Sequence, residues 1–577
     1  MPKYLDYLYG FEQTELRHYV GENMVELLVE WMPNGDSLLT KKRMIGMIDS
    51  LYGVEILKDK SFRKNLLLNM KTPELLEIRD NCLSGSEKKK DDPFELVEII
   101  TNKAWAKNRI SVYLAKLWGL SDRIFDKEKD DLDVCSDISA PDEQFYELLD
   151  YQYLIKQRAL FNLNSGHAQE RMLIHMPTGT GKTKTSMHII TNYMEFSLDK
   201  KGLVIWVAHT KELLEQAYST FLEVWGHLGE GYVKAYRLWG NRTIDDTDKE
   251  LNGIAFCGLQ KLMSIYDSNP LLFERLKIDC RLIVFDEAHK ASAEKTRKVI
   301  ENLMLMPSGY QNRALIGLSA TPGRTTEQSY DNNLLTNMFG NKLIHIDADI
   351  LNQINMGKLK ALNSIAEENV IKYFQERRIL SKINSERLKY KQNFSASELT
   401  TLNSALNDLG YNEEEYTVKQ LEVLAKNKER NTEIIKKLRL LHQEKIPTIV
   451  FACSVNHAKM LSAMLTLEEI PNSMVDGNMD PMDRKRAIDA FKDRESNVDI
   501  IINYEVLTTG FDSKNIRCVF ITRPTKSVVL YSQMLGRGLR GPLMGGNESC
   551  LLVDVDDNLK AFDNETAFSH FNDYWKV

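Results

Sequence analysis

Residues 171–191 read Arg-Met-Leu-Ile-His-Met-Pro-Thr-Gly-Thr-Gly-Lys-Thr-Lys-Thr-Ser-Met-His-Ile-Ile-Thr. The order of residue types here leaves few folds open. An apolar run, Met172 to His175, reads as a strand. A glycine-rich turn follows, Pro177 to Gly181. Lys182 and Thr183 then open a segment with helical spacing through Met187, Ile190 and Met194. Strand, glycine loop and helix in this order are the context of a phosphate-binding loop. Gly179 and Gly181 let successive backbone N–H groups turn inward on an anion, and the helix N-terminus adds partial positive charge. Lys182 would reach the β- and γ-phosphates, and the Thr183 hydroxyl would sit on Mg²⁺. The generic pattern starts with Gly six residues before the Lys, where this chain has Met176.

Such a loop needs a parallel sheet around it, and the chain supplies one. From about 146 to 345, apolar runs alternate with helical patterns. Leu203–Ala208, Gly253–Cys257, Leu282–Phe285 and Ala314–Leu318 read as buried strands. The alternation resumes after 447, with strands expected at Thr448–Ala452, Asp499–Ile502, Cys518–Ile521 and Cys550–Val553. Between the two α/β units, residues 350–440 read as long charged helices, for example Ile371–Leu388 and Val418–His442. This predicts an α/β fold of two parallel-sheet domains, 146–348 and 431–577, separated by a helical insertion, 349–430. The insertion's cations (Lys372, Arg377, Arg378, Lys382, Arg387, Lys389, Lys391) are interleaved with acids, so a solvated face is preferred over an arm on a duplex.

Residues 1–125 are expected to form an α-helical N-terminal domain. Apolar residues recur at helical spacing in Met24, Leu27, Leu28 and Trp31, and again in Met44, Met47, Ile48 and Leu51. The acidic, turn-rich stretch 126–145 reads as a linker.

A second chemical signal is Asp286-Glu287-Ala288-His289, at the C-terminal end of the strand Leu282–Phe285. Ligands of parallel sheets bind at that edge. Asp286 can hold Mg²⁺, and Glu287 can orient and deprotonate an attacking water.

With these pieces in order, the chain resembles the superfamily 2 helicases and translocases of DEAD/DEAH type, which are built on two RecA-like domains. Leu149-Asp150-Tyr151-Gln152 resembles the adenine-recognising motif, and Met176–Thr183 resembles motif I. Ala208–Gln216, with His209-Thr210-Lys211 where members often carry Pro-Thr-Arg, resembles motif Ia. Phe256–Leu262, with Gln260, resembles the next strand-contacting segment. Residues 286–289 resemble motif II and Ser319-Ala320-Thr321-Pro322 motif III. Thr448–Ser454 resembles motif IV, Asn503–Asp512 motif V and Gln533–Arg540 motif VI. The resemblance covers about residues 146–560.

It implies ATP and Mg²⁺ as cofactors. Tyr151, Gln152, Thr178–Thr183, Gly510, Asp512 and Gln533 would hold the nucleotide, and Thr183 and Asp286 the metal. Lys182, Asp286, Glu287, Arg537 and Arg540 would be catalytic, the two arginines acting across the cleft on the γ-phosphate. His209, Thr210, Lys211, Gln260, Ser454 and Thr508 would face nucleic acid. His289, Ser319 and Thr321 would couple the two sites. Met-Pro-Thr-Gly-Thr-Gly-Lys-Thr, Ser-Ala-Thr-Pro and Gln-Met-Leu-Gly-Arg-Gly-Leu-Arg resemble DNA-acting members more than RNA-directed ones, in particular the motor subunits of type III restriction enzymes and excision-repair translocases. An ATP-dependent DNA helicase or translocase in restriction, anti-phage defence or repair is therefore the expectation. An RNA helicase and an ATP-gated clamp without strand separation are the alternatives.

Charge and cysteine usage set the remaining bounds. A net charge of −7 argues against a uniformly basic coat protein but permits a local basic groove. Met70–Ile78, Leu83-Ser84-Gly85-Ser86 and Lys88–Lys90 before an apolar segment resemble the SAP type of DNA-binding helix-loop-helix; a solvated loop between core helices is the plainer reading. The seven cysteines are scattered without metal-ligand spacing, which reads as reduced thiols in a cytoplasmic protein. No apolar run reaches the roughly 18 residues of a membrane span. No nuclease signature is present, so a nuclease or other effector partner would be at the N-terminus or on another chain.

Overall fold

The structure is a computed structural model. It describes residues 2–31, 35–125, 133–140, 145–244, 250–305, 312–321, 330–347, 349–350, 354, 370–407, 416–508, 510–511, 513–525 and 527–557. Two sheets carry it. The first has the order β1-β4-β5-β3-β6-β7-β2-β8. Its strands are β1 Cys135–Ser139, β2 Gln169–His175, β3 Leu203–Ala208, β4 Tyr232–Leu238, β5 Gly253–Gly258, β6 Cys280–Asp286, β7 Arg313–Ser319 and β8 Leu343–Ile344. All pairings are parallel except β1 on β4. The second sheet, β11-β12-β10-β13-β14-β9, is parallel throughout. It consists of β9 Lys382–Leu388, β10 Thr448–Phe451, β11 Ser473–Val475, β12 Ile500–Asn503, β13 Cys518–Ile521 and β14 Ser549–Val555.

The central strands read as unbroken apolar runs because helices cover both faces. Every residue of β3, β7, β10 and β12 is buried. The C-terminal ends of β6, β7 and β2 lie side by side, with Asp286 opposite Leu318 and His175 opposite Ser319. That shared edge positions the site.

Three expectations change. Ile371–Leu388 is not one helix: a helix ends at Glu376, and β9 follows and pairs with β14 along the edge of the second sheet. Arg378 at φ +59° breaks the helix, and alternating exposure along β9 suits an edge strand. Val418–His442 is two helices, Val418–Ala425 and Lys428–Gln443, the second capped by Asn427. Part of the acidic linker is strand β1. Arg237 donates to the Asp133 carbonyl at 2.9 Å and to the Ser136 hydroxyl at 2.8 Å, and ladder pairing with β4 outweighs the local charge.

The N-terminal domain is helical, as expected, but it sits on the second sheet rather than on the first, which follows it in the chain. Met44, Ile48 and Leu51 share one apolar core with Leu461, Met464, Ile500 and Phe520. The helix Lys41–Tyr52 runs along the helix Val455–Leu467. The Ser50 and Ser462 hydroxyls bond at 2.8 Å, Lys428 donates to the Glu30 carbonyl at 2.8 Å, and a Cβ on Gly46 would meet Thr466 at 3.3 Å. In the Lys88–Lys90 loop, Lys88 donates to the Asp80 carbonyl and Lys90 pairs with Glu95. These pairings fit the solvated loop. Among the described residues no helix is long and apolar enough to cross a membrane, and Cys82, Cys257, Cys280, Cys453, Cys518 and Cys550 are free thiols.

Because one core spans the seam, Ile48→Ala should destabilise the N-terminal and second domains together, by about 2–5 kcal/mol. Urea unfolding followed by fluorescence checks this. A native midpoint would show that Ile48 is not part of a shared core.

Candidate functional site

The loop after β2 is shaped by its glycines. Gly179 and Gly181 stand at φ +87° and +81°, where an L side chain is strained. Gly181 caps the helix Lys182–Asn192. A Cβ there would lie 2.3 Å from Gln152 Nε2. Met176 is fully buried, and its N–H donates to the Ser319 carbonyl at 3.1 Å. Thr180 donates its hydroxyl to the Pro177 carbonyl at 2.7 Å. Tyr151 and Gln152, expected to face adenine, both donate to the Thr180 carbonyl, at 2.7 and 2.9 Å. The other amide atom of Gln152 accepts from Leu149 N at 2.9 Å. Both residues are buried struts of the loop. Thr183 is half-buried in the first helical turn.

Beneath the loop lie the acids. Lys182 Nζ is 3.3 Å from Asp286 Oδ1 and 3.2 Å from Glu287 Oε1. Burial pulls the Lys182 ammonium down, but the two carboxylates outweigh it and hold it above its usual range. Burial pushes Asp286 up. Burial acts the same way on Glu287, yet Lys182 and His289 prevail and hold it down at about 2. Glu287 stands at φ +55° and ψ +57°, a strained backbone for Glu. The His289 ring nitrogen Nδ1 is 3.4 Å from Glu287 Oε2. Burial lowers both His289 and His209 to about 4, so both rings are neutral at pH 7.

Ser319 and Thr321 are buried between these two elements. The Ser319 hydroxyl accepts from Thr321 N at 3.0 Å and donates to the Thr321 carbonyl. His175 of β2 is 3.0 Å from the Ala320 carbonyl, which ties this turn to the strand under the loop. Pro322 lies outside the described residues.

The second domain closes on the loop. A Cβ on Gly536 would be 2.6 Å from Thr178, and one on Gly179 would be 3.6 Å from Arg540 Cγ. Arg540 of the second domain therefore packs against the glycine loop. Arg537 donates to the Phe511 and Gln533 carbonyls, so its guanidinium holds its own helix to residues 510–511. Gln533 is buried. A Cβ on Gly510, at φ +69°, would be 3.6 Å from the Thr210 hydroxyl, so motif V abuts motif Ia. Asp512 lies outside the described residues.

The residues expected to face nucleic acid divide by position. Thr210 and Ser454 accept from the N–H groups of Leu213 and His457, capping the helices Lys211–Leu228 and Val455–Leu467. Lys211 is 3.7 Å from Glu215, and Gln260 is exposed. Thr508 is buried and donates to the Glu505 carbonyl at 2.5 Å. His209 is half-buried at the end of β3, on the strand beside the one that carries Glu287. Leu380 and Ser381 were missed. Leu380 would meet a Gly179 Cβ at 3.5 Å, and the Ser381 hydroxyl donates to the Arg540 carbonyl at 2.5 Å. Nothing local in the sequence marks them, because their position depends on β9 joining the second sheet.

Known proteins bear on this arrangement. Residues 145–324 match the family model described as type III restriction enzyme, res subunit, and residues 430–541 match that of the helicase conserved C-terminal domain. The chain is 24% identical to the helicase IRC3 of Saccharomyces cerevisiae over 414 residues, 70% of this chain and 51% of that one. It is 27% identical to the ATP-dependent DNA helicase fml1 of Schizosaccharomyces pombe over 180 residues, 31% of this chain and 19% of that one. It is 24% identical to the type I restriction enzyme EcoAI endonuclease subunit of Escherichia coli, over 65% of this chain and 42% of that one. The chain thus spans about half the length, or less, of these relatives. A fragment of an HsdR subunit of a type I restriction enzyme from Vibrio vulnificus YJ016 is similar in structure, with 18% identity, 70% of this chain and 63% of that chain covered, and a TM-score of 0.45.

Gly181→Ala adds a Cβ into Gln152 on a left-handed backbone, at a cost of about 1–3 kcal/mol. The expected result is a lowered Tm together with weakened binding of a fluorescent ATP analogue. Unchanged binding would show that the loop tolerates a different shape.

Proposed function

This chain belongs to the superfamily 2 helicases, and on that premise we propose that it couples ATP hydrolysis to movement along DNA. The observation that carries the reading is Lys182 clasping Asp286 and Glu287 directly beneath a glycine loop that Arg540 approaches from the other domain.

The loop N–H groups and the helix N-terminus would hold the phosphates. Lys182 would exchange its carboxylates for the β- and γ-oxygens. The donor set, a Thr hydroxyl and a buried Asp beside phosphate oxygens, fits Mg²⁺, and Thr183 and Asp286 would hold it. Bound there, the ion supplies charge neutralisation on the phosphates. Glu287, held ionised, orients the attacking water and accepts its proton. Arg540, together with Arg537 once released from the Phe511 carbonyl, stabilises the charge that develops as the cleft closes. Hydrolysis opens the cleft, so the phosphate state is converted into domain motion. The helix N-termini capped by Thr210 and Ser454 would face a strand and contact its phosphates without reading sequence.

DNA is favoured over RNA by the wording of motifs I, III and VI, and by the names of the DNA-helicase and restriction-subunit relatives. A role in restriction, anti-phage defence or repair, with an effector on another subunit, rests on analogy with those relatives.

Steady-state ATP hydrolysis with no nucleic acid, single-stranded, duplex and forked DNA, and RNA, at fixed salt, tests the proposal. Stimulation by one DNA form, abolished by Lys182→Ala, is the expected outcome. Stimulation by RNA alone would reassign the track. Hydrolysis retained in Lys182→Ala would overturn the site.

A further inference from the structure

His209 is expected on the nucleic-acid face, and the sheet also sets it beside the acids. Strand β3 lies beside β6 with Val207 opposite Phe285. Two residues beyond that pair come His209 on one strand and Glu287 on the other, so adjacent parallel strands bring them together at the same edge. Glu287 also has His289 against its second oxygen, 3.4 Å away. The Nδ1 atoms of both histidines are buried and have no hydrogen-bond partner among the described residues. The Glu287 carboxylate thus has His289 Nδ1 in ion-pair range, and His209, with a buried Nδ1 that makes no hydrogen bond among the described residues, at the end of the neighbouring strand.

The next residue leads to the other domain. Thr210 starts the helix Lys211–Leu228, and its hydroxyl is 3.6 Å from where a Gly510 Cβ would stand. Glu212 in the same turn is 3.9 Å from Arg484 of the second domain. A single peptide unit therefore separates the neighbour of Glu287 from the seam that the second domain engages.

We propose that His209 is a positioning residue: when the second domain and a bound strand set the N-terminal end of the helix Lys211–Leu228, the Nδ1–H of His209 donates to the Glu287 carboxylate and orients it for attack. The proposal rests on the motor reading above. It makes the coupling local, from the strand-facing helix end to the base through one side chain.

The test compares His209→Asn, His209→Gln and His209→Ala in the full chain. Asn places an amide near the Nδ1 position and Gln places one near the Nε2 position. ATP hydrolysis at saturating single-stranded DNA, and DNA affinity by fluorescence anisotropy with ADP present, are read in parallel. Ala and Gln are expected to lower kcat about tenfold to a hundredfold, as misorientation of a reacting group does. Asn should recover most of the rate, while KM for ATP and Kd for DNA stay within about twofold of native, since only orientation is lost. Weakened DNA binding with native kcat at saturation would make His209 a strand contact and overturn the proposal. Equal losses in all three variants with a lowered Tm, or native rates in all three, would overturn it too. The unstimulated rate separates this from failure of the motor reading. If no nucleic acid stimulates the native chain, the track assignment falls. The rank order of native and Asn above Gln and Ala in the basal rate then still supports the His209–Glu287 contact, and its absence refutes it.

Discussion

Lys182 holds together two carboxylates that would otherwise repel each other at the base of the cleft. Asp286 is buried and its neighbour Glu287 largely so, and the ammonium sits about equally far from both. Buried like charges are tolerable only with such a counter-ion. Much of the first domain serves this one contact. β7 separates β2 from β6 by a single strand width, which sets the distance that the lysine must cross. The left-handed backbone of Glu287 turns its carboxylate toward the lysine. Tyr151 and Gln152 fix the loop from which the lysine starts. A triphosphate brings more negative charge than the two carboxylates, so its arrival redistributes the ammonium without new positive charge having to be moved in.

The local geometry of the candidate site was largely legible in the sequence, and for a physical reason. Strand, glycine turn and lysine are contiguous, and so are the apolar run and the Asp-Glu pair, so local order encodes local geometry. What was not legible depends on distant partners. Nothing in Lys382–Leu388 distinguishes a charged helix from an edge strand until β14 is available to pair with it. The acidic composition around Cys135–Ser139 conceals a strand whose pairing is decided by β4. Gln152 was identified as important, yet its amide is spent on the Thr180 carbonyl, a direction that residue type cannot reveal. His209 was assigned by motif position, whereas its orientation follows from the β3–β6 register.

The position of the N-terminal domain is likewise beyond local reading. It precedes the first sheet in the chain but shares its core with the second. The connection must therefore pass from the second domain to the first, and strand β1 anchors its far end on the edge of the first sheet. An apolar seam with Met44, Ile48 and Leu461 in one core ties the helical domain to the second sheet.

The two faces of the cleft differ in what opening would break. At its mouth the contacts are glycine against threonine and arginine, and the pair Arg484–Glu212, 3.9 Å apart with the carboxylate exposed. Pairs of that kind contribute little, about 0–1 kcal/mol. Where the chain crosses between the domains, the contacts are apolar. Phe374 packs edge-on against Tyr151 at 5.0 Å between ring centroids, and Ile379 and Leu380 are buried beside the loop. Separating fully buried aromatic and aliphatic side chains costs roughly 1.5–3 kcal/mol each. If the cleft opens, the mouth is the weaker side and the apolar crossing the one expected to hold. Because Tyr151 also bonds the Thr180 carbonyl, that apolar crossing is braced on the glycine loop itself.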